Sequence, residues 1–401
     1  MSKWKPMRSV DGNERDAIPA GRSSRKCGVR RTPAVWLALV VLSFALPVSA
    51  QTSKHRIFVV SSYHREYLWS QDTQEGLCAG LIEHGFIDGK EQAAEFTNTD
   101  HLENSSSILK KAWMDTKRKS SKQEMAASTH RLMEEISVFS PDLVLLGDDN
   151  AAHFIGNQLI DTEIPVVFWG INGLPLRYGL LDSLERPGHN VTGICQPGYL
   201  EECLAFLHRI VPGARTFAIL SDDSETGRSK AKSLQTLHAS GKLPLQLVES
   251  VVTNRLEEWK SGAVRLQATV DAFFVLNHNS LKDENGRTVD QLEIGAWYLR
   301  HIRIPKCADQ KQGTLEGMLC TCDDSGYNQG YEAVKLAHRI LKKGEQPRDI
   351  AVRAPARGPF IVNRQRAEML GIAIPEDAGV EQYIDKALAL EEAPSAQGEK
   401  R

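Results

Sequence analysis

The feature that most constrains this chain is an alternation. Short runs rich in Val, Ile, Leu and Phe, at residues 56–60, 143–146, 165–168, 216–220, 245–248 and 272–276, are separated by stretches whose apolar residues recur every three or four positions, at 73–84, 124–139, 201–210 and 327–341. Continuous apolar runs fit buried strands and the longer period fits helices, so their alternation predicts an α/β fold with mostly parallel sheets. Gly344 and Pro347 end the last helical stretch as a C-terminal cap does. The strand-like runs form two series, one ending near residue 168 and the other running from 216 to 276. One sheet rarely holds so many parallel strands, and two lobes are the economical arrangement. Between them, residues 174–190 carry Pro175, Gly179, Pro187 and Gly188, the composition of a crossing segment.

Charge excludes one class of partner. With 49 Lys+Arg against 51 Asp+Glu in 401 residues, the net charge of −2 gives no field for a phosphate backbone, and nucleic acid is not expected. The basic excess lies at the front, where Arg25, Lys26, Arg30 and Arg31 precede thirteen largely apolar residues, 34–46, and the small-residue site Val48, Ser49, Ala50. This predicts a secretory signal over residues 1–50, cleaved after Ala50. A membrane anchor needs about 20 apolar residues, so the segment is too short to stay in the bilayer. No cysteine stands at the cleavage point to carry a lipid, and a periplasmic protein is expected. The polar stretches 117–122 and 386–401 read as solvated, the latter as a disordered tail. Cys78, Cys195, Cys203, Cys307, Cys320 and Cys322 remain after cleavage. An even number in an oxidising compartment permits a disulfide, with Cys307 to Cys320 or Cys322 the expected pair. The Cys-Thr-Cys at 320–322 lacks a second Cys/His pair at ligand spacing, so zinc is not expected.

In open α/β sheets ligands bind beyond the carboxyl ends of the strands, and here those ends are heavily decorated. Ser61, Ser62, Tyr63, His64, Tyr67 and Trp69 follow one run; Asp148, Asp149 and Asn150 follow another; Trp169 and Asn172 follow a third. The second series repeats the pattern with Ser221, Asp222, Asp223 and Glu225, then with Asn277, His278 and Asn279. Singly, each Ser, Asp or Asn reads as a helix N-cap. Recurrence on both lobes, beside an aromatic wall, reads as a small-ligand cleft. His64 has no Gly-x-Ser-x-Gly nucleophile to serve, so no enzyme is predicted. In each Asp doublet one member is expected to cap a helix while the other faces the cleft, and neither a metal nor a cofactor is expected. Carboxylates beside aromatics favour a cationic or amine-bearing ligand. An acidic ligand would need Arg118 or Lys117, which keeps amphoteric, amino-acid-like compounds open.

Several ordered segments resemble one family. Ser62-Tyr63-His64 with Trp69, Trp113-Met114-Asp115-Thr116-Lys117-Arg118, Gly147-Asp148-Asp149-Asn150-Ala151, Val167-Phe168-Trp169-Gly170-Ile171-Asn172 and Asn190-Val191-Thr192-Gly193 are similar to ABC-transporter substrate-binding proteins of the tryptophan/tyrosine-binding branch. The likeness continues through Ser221-Asp222-Asp223-Ser224-Glu225-Thr226-Gly227-Arg228, Asp323-Asp324-Ser325-Gly326-Tyr327 and Asn363 with Leu370-Gly371-Ile372. It implies a type I periplasmic-binding fold, two Rossmann-like lobes joined by a hinge, with lobe 1 at 55–173 plus 308–345 and lobe 2 at 191–307 plus 346–385. It adds Asp115, Arg118, Asp323, Asp324 and Tyr327 to the expected contacts. A small molecule held by lobe closure is implied, in a monomer that serves an ABC permease or, alternatively, docks on a membrane signalling receptor. The stretch 97–109 is longer than in the aromatic amino-acid binders, so their ligand does not transfer by resemblance.

Overall fold

The computed structural model describes residues 54–172 and 175–391, and the expected signal segment lies outside them. The first strand shows how the sequence builds each layer. In β1 (His55–Ser61) Ile57 and Val59 enter one hydrophobic cluster, while Phe58 and Val60 enter another on the opposite face. A strand's side chains alternate between faces, so a continuous apolar run is what a sheet covered on both sides demands. β4 (Leu143–Gly147) and β5 (Val166–Ile171) divide in the same way. Burying each Val, Leu or Phe contributes about 1.5–3 kcal/mol, enough for these runs to fix the layers.

The remaining first-sheet strands are β2 (His101–Glu103), β3 (Ser107–Trp113) and β6 (Val191–Cys195), giving the order β2-β3-β1-β4-β5-β6 with only the edge strand β2 antiparallel. The second sheet holds β7 (Thr216–Ser221), β8 (Gln246–Val252), β9 (Ala272–Val275), β10 (Lys306–Ala308), β11 (Cys320–Cys322), β12 (Phe360–Asn363) and β13 (Gln382–Ile384). Its order is β13-β12-β11-β10-β9-β7-β8, antiparallel only between β11 and β12. The two mainly parallel sheets and two lobes agree with the sequence reading.

The lobe boundaries differ from those expected. Residues 191–195 close the edge of the first sheet, and residues 306–322 lie in the second. The chain then returns to the first lobe as the Gly326–Lys343 helix, whose Ala333, Val334, Ala337 and Ile340 pack beside Leu77 and Leu81 of the Leu68–Glu83 helix. Past that helix, Arg353 bridges to Ile194 before the chain re-enters the second lobe at β12. The lobes are thus joined by three crossings, near residues 196–199, 323–325 and 354–359.

Three further expectations are corrected. Lys117 is buried, not solvated. Residues 388–391 of the expected tail are helical, and Ala387 and Ala389 pack on Ala296 and Leu299. The register sets Cys307 beside Cys320, yet all six described cysteines are free thiols; Cys203 Sγ donates instead to the Cys322 carbonyl at 3.3 Å.

Candidate functional site

The site begins where β1, β3 and β4 end. Ser62 Oγ donates to the Gly147 carbonyl at 2.6 Å and accepts from Ala151 N at 2.8 Å, tying the β1 end to the turn after β4. On this platform Tyr63 and Tyr67 meet edge to face, with ring centroids 5.2 Å apart. Both hydroxyls are held well above their ordinary pKa by burial, reinforced by nearby carboxylates. Trp69 Nε1 donates to Asp148 Oδ1 at 2.7 Å. Asp148 sits at φ +69°, a left-handed conformation that short polar side chains tolerate. Burial pushes its carboxyl up to about 8, against the pull of the Trp69 hydrogen bond.

Asp149 accepts from Asn172 N and Nδ2, both at 3.2 Å, and from the Tyr178 hydroxyl at 2.9 Å. Asn150 Nδ2 donates to Thr116 Oγ1 at 2.9 Å. His64 lies 3.4 Å from Asp115, and burial, with Arg118 nearby, lowers its pKa. Arg118 is half-exposed and pairs with Glu66 at 2.9 Å, so His64, Asp115 and Arg118 form a polar rim to the site.

The second lobe supplies the facing wall. Both Asp222 oxygens are occupied: Oδ1 by Ser224 N and Oγ, Oδ2 by Ser280 N at 2.9 Å. Of the Asp222-Asp223 doublet, the first is therefore buried and structural, while the second is exposed and pairs with Arg228 at 2.9 Å. Asn277 is buried beside it, its carbonyl accepting from Asp222 N at 2.6 Å. His278 Nε2 lies 2.9 Å from Glu316 Oε2, and Lys230 Nζ lies 2.6 Å from Asp309 Oδ2; all four side chains are buried. Asp324 accepts from Gly198 N at 2.8 Å across two crossing segments, and burial pushes its carboxyl up to about 7.

The walls meet. Asn279 Nδ2 donates to the Tyr67 hydroxyl at 2.7 Å, and the Tyr178 hydroxyl lies 3.0 Å from Glu225 Oε1. Beside this seam lies a cavity of about 980 Å³ lined by Asp149, Asn172 and Tyr178 from the first lobe and by Glu225, Thr226 and Ser229 from the second.

Not every expected contact is at the seam. Trp169 is fully buried in the core, because its position in β5 points it toward the two packed helices, where its ring lies 2.2 Å from where a Gly147 Cβ would stand. Asp223 faces solvent. Asp323 and Tyr327 line a different cavity of about 680 Å³ with Asp72, Lys311 and Arg357; burial pushes the Asp323 carboxyl up to about 8. Sequence reasoning placed Tyr67 in the aromatic wall but not across the seam, named Lys117 only as a group an acidic ligand would need, and missed Tyr178, Lys230, Asp309 and Glu316. Lys230 had a usable signal: it shares the buried stripe of its helix with Thr226, Gly227, Ala231 and Leu234. Among the described residues no cluster of His, Cys, Asp and Glu fits a metal ion, and no helix is long and apolar enough to cross a membrane.

Residues 70–383 match the family model described as ABC transporter substrate binding protein. A tyrosine-binding protein of Clostridioides difficile (strain R20291) is 24% identical over 209 residues, covering 52% of this chain and 57% of the relative. Among solved structures, the ABC domain of Streptococcus pneumoniae in complex with L-Trp superposes with a TM-score of 0.63 at 20% identity, over 83% of this chain and 100% of that one. The ligand-free, open structure of a Clostridium difficile substrate-binding protein with adhesive properties gives a TM-score of 0.59 at 21% identity, over 82% and 99%. The fold is that of the type I periplasmic-binding proteins. With its family model spanning most of the sequence and two lobes meeting at a polar seam, the chain belongs to the ABC transporter substrate-binding protein family.

Proposed function

We propose that this protein captures a small, amino-acid-like solute between its lobes and presents the closed form to an ABC importer in the periplasm. The observation that carries this reading is the seam. A cross-lobe hydrogen bond from Asn279 to Tyr67 and a 3.0 Å contact between Tyr178 and Glu225 lie beside buried oxygens without partners, Asn172 Oδ1 and Asn279 Oδ1. A buried acceptor left unmade costs about 1–3 kcal/mol, and a ligand that donates to these oxygens would recover it. An ammonium group suits them, and it would also draw the raised carboxyls of Asp148 and Asp324 into their charged form. The aromatic pair Tyr63 and Tyr67 offers a flat apolar body a place to pack. Tyrosine and tryptophan, named for the relatives, are the first solutes to try.

Isothermal titration of the mature chain with L-tyrosine and L-tryptophan is the test. Binding at one site, with a rise in melting temperature that follows ligand concentration, supports the reading. Absence of binding by every amino acid tried would remove it.

A further inference from the structure

The expectation of a cationic ligand meets an obstacle in Lys117. The turn carrying it is pinned to the end of β1: Met114 N donates to the Ser61 carbonyl at 2.9 Å, and Thr116 N and Oγ1 both donate to the Ser62 carbonyl at 2.9 Å. With Asp115 at φ +60°, the chain reverses there and turns Lys117 inward. Its side chain is buried, with Nζ 4.7 Å from the Tyr63 ring centroid and 5.8 Å from that of Tyr67. Among the described residues no hydrogen bond or ion pair reaches this ammonium. It lies beside the seam, because Tyr67, whose ring it faces, accepts the cross-lobe hydrogen bond from Asn279. Asp148, Asp149 and Asp222 favour its charge from a distance, but none of them comes within ion-pair reach of it. Asp222 is held by Ser224 and Ser280, Asp149 by Asn172 and Tyr178, and Asp148 by Trp69. Lys306 is also buried without a hydrogen-bond partner, but it stands against Tyr298 inside the second lobe, beside Arg366 and Arg303.

A buried ammonium is costly unless an anion meets it. We propose that Lys117, collared by Tyr63 and Tyr67, is the receptor for a carboxylate of the bound solute, so that the cleft selects carboxylate-bearing ligands over simple amines. This rests on the reading of the cleft as a solute site and deepens it. The carboxylate takes one or more N–H donors from Lys117 Nζ while the ligand's apolar body packs against the tyrosine rings.

The test is calorimetry on the mature chain with three probes that share a ring: L-tyrosine, tyramine, which lacks the carboxylate, and 3-(4-hydroxyphenyl)propionate, which lacks the amine. Wild type should bind both carboxylates and hold tyramine at least about tenfold more weakly. Lys117→Met should cost the carboxylates about tenfold to a hundredfold, leave tyramine unchanged and keep the melting temperature, while Lys117→Arg recovers part of the loss. Tyramine binding as tightly as L-tyrosine, or Lys117→Met binding L-tyrosine as wild type does, would overturn the assignment while leaving the solute-binding reading in place. If amino acids fail and the propionate binds in a Lys117-dependent way, the Lys117 assignment stands and the amino-acid reading falls. A wild type that no carboxylate stabilises overturns both.

Discussion

On the second lobe, buried basic groups near the cleft have acidic neighbours: Lys230 lies 2.6 Å from Asp309 and His278 lies 2.9 Å from Glu316. On the first lobe, Lys117 faces two aromatic rings and Asp148 a tryptophan N–H. Near the cleft the second lobe has paired its buried basic groups within itself, whereas the first carries a cation and a carboxyl whose environments favour a change on binding. The contrast teaches that equally polar strand ends need not serve equal roles: one wall is built to hold its shape, the other to meet a ligand.

The largest effect that can break this contrast comes from the two lysines. Lys230→Met leaves Asp309 buried without its cation and should cost about 3–5 kcal/mol in denaturant unfolding, the range for breaking one side of a buried pair. Lys117→Met deletes a buried charge that has no partner, so stability should hold or rise. Similar losses in both variants would erase the distinction between the walls.

A smaller effect sharpens the first-lobe side. The folded pKa of Asp148, about 8, lies above its ordinary 3.8, so the folded chain keeps a proton that the unfolded chain has released. The associated stability is present below about pH 4 and is lost as the pH rises toward 8. Asp148→Asn, which suits the positive φ and can still accept from Trp69, should match wild type near pH 4 and exceed it in melting temperature near pH 8. A variant that shows the same difference at both pH values would place the cost elsewhere. The smallest effect concerns the contact between the walls. Tyr67→Phe removes the acceptor for Asn279 Nδ2 and should weaken ligand affinity by about fivefold, the worth of roughly one kcal/mol.

Much of this fold was legible because parallel strands covered on both faces must be continuously apolar, as Ile57-Phe58-Val59-Val60 and Leu143-Val144-Leu145-Leu146 are. β3 escaped because Lys110 and Lys111 interrupt its run; Lys111 is buried all the same, donating to Gln74 Oε1 at 2.5 Å. β10 and β11 are three residues long and carry too little pattern to read. At the site, strand ends were easy to name, but which side chain faces the cleft depends on strand parity and turn conformation. Trp169 is turned into the core by its place in β5, and Lys117 is turned inward by the residue at φ +60° before it. Pairings such as Lys230 with Asp309 join residues far apart in sequence, and nothing local announces them.

The central claim is that a solute is held by closure of the two lobes. Small-angle scattering measures it directly, on protein stripped of ligand by unfolding and refolding and then titrated with L-tyrosine or with whichever solute native mass spectrometry finds bound to the purified chain. The account predicts that the radius of gyration falls as the ligand saturates its site, reaching the compact form in which Asn279 meets Tyr67 and Tyr178 meets Glu225. Saturating binding with an unchanged scattering profile would contradict it.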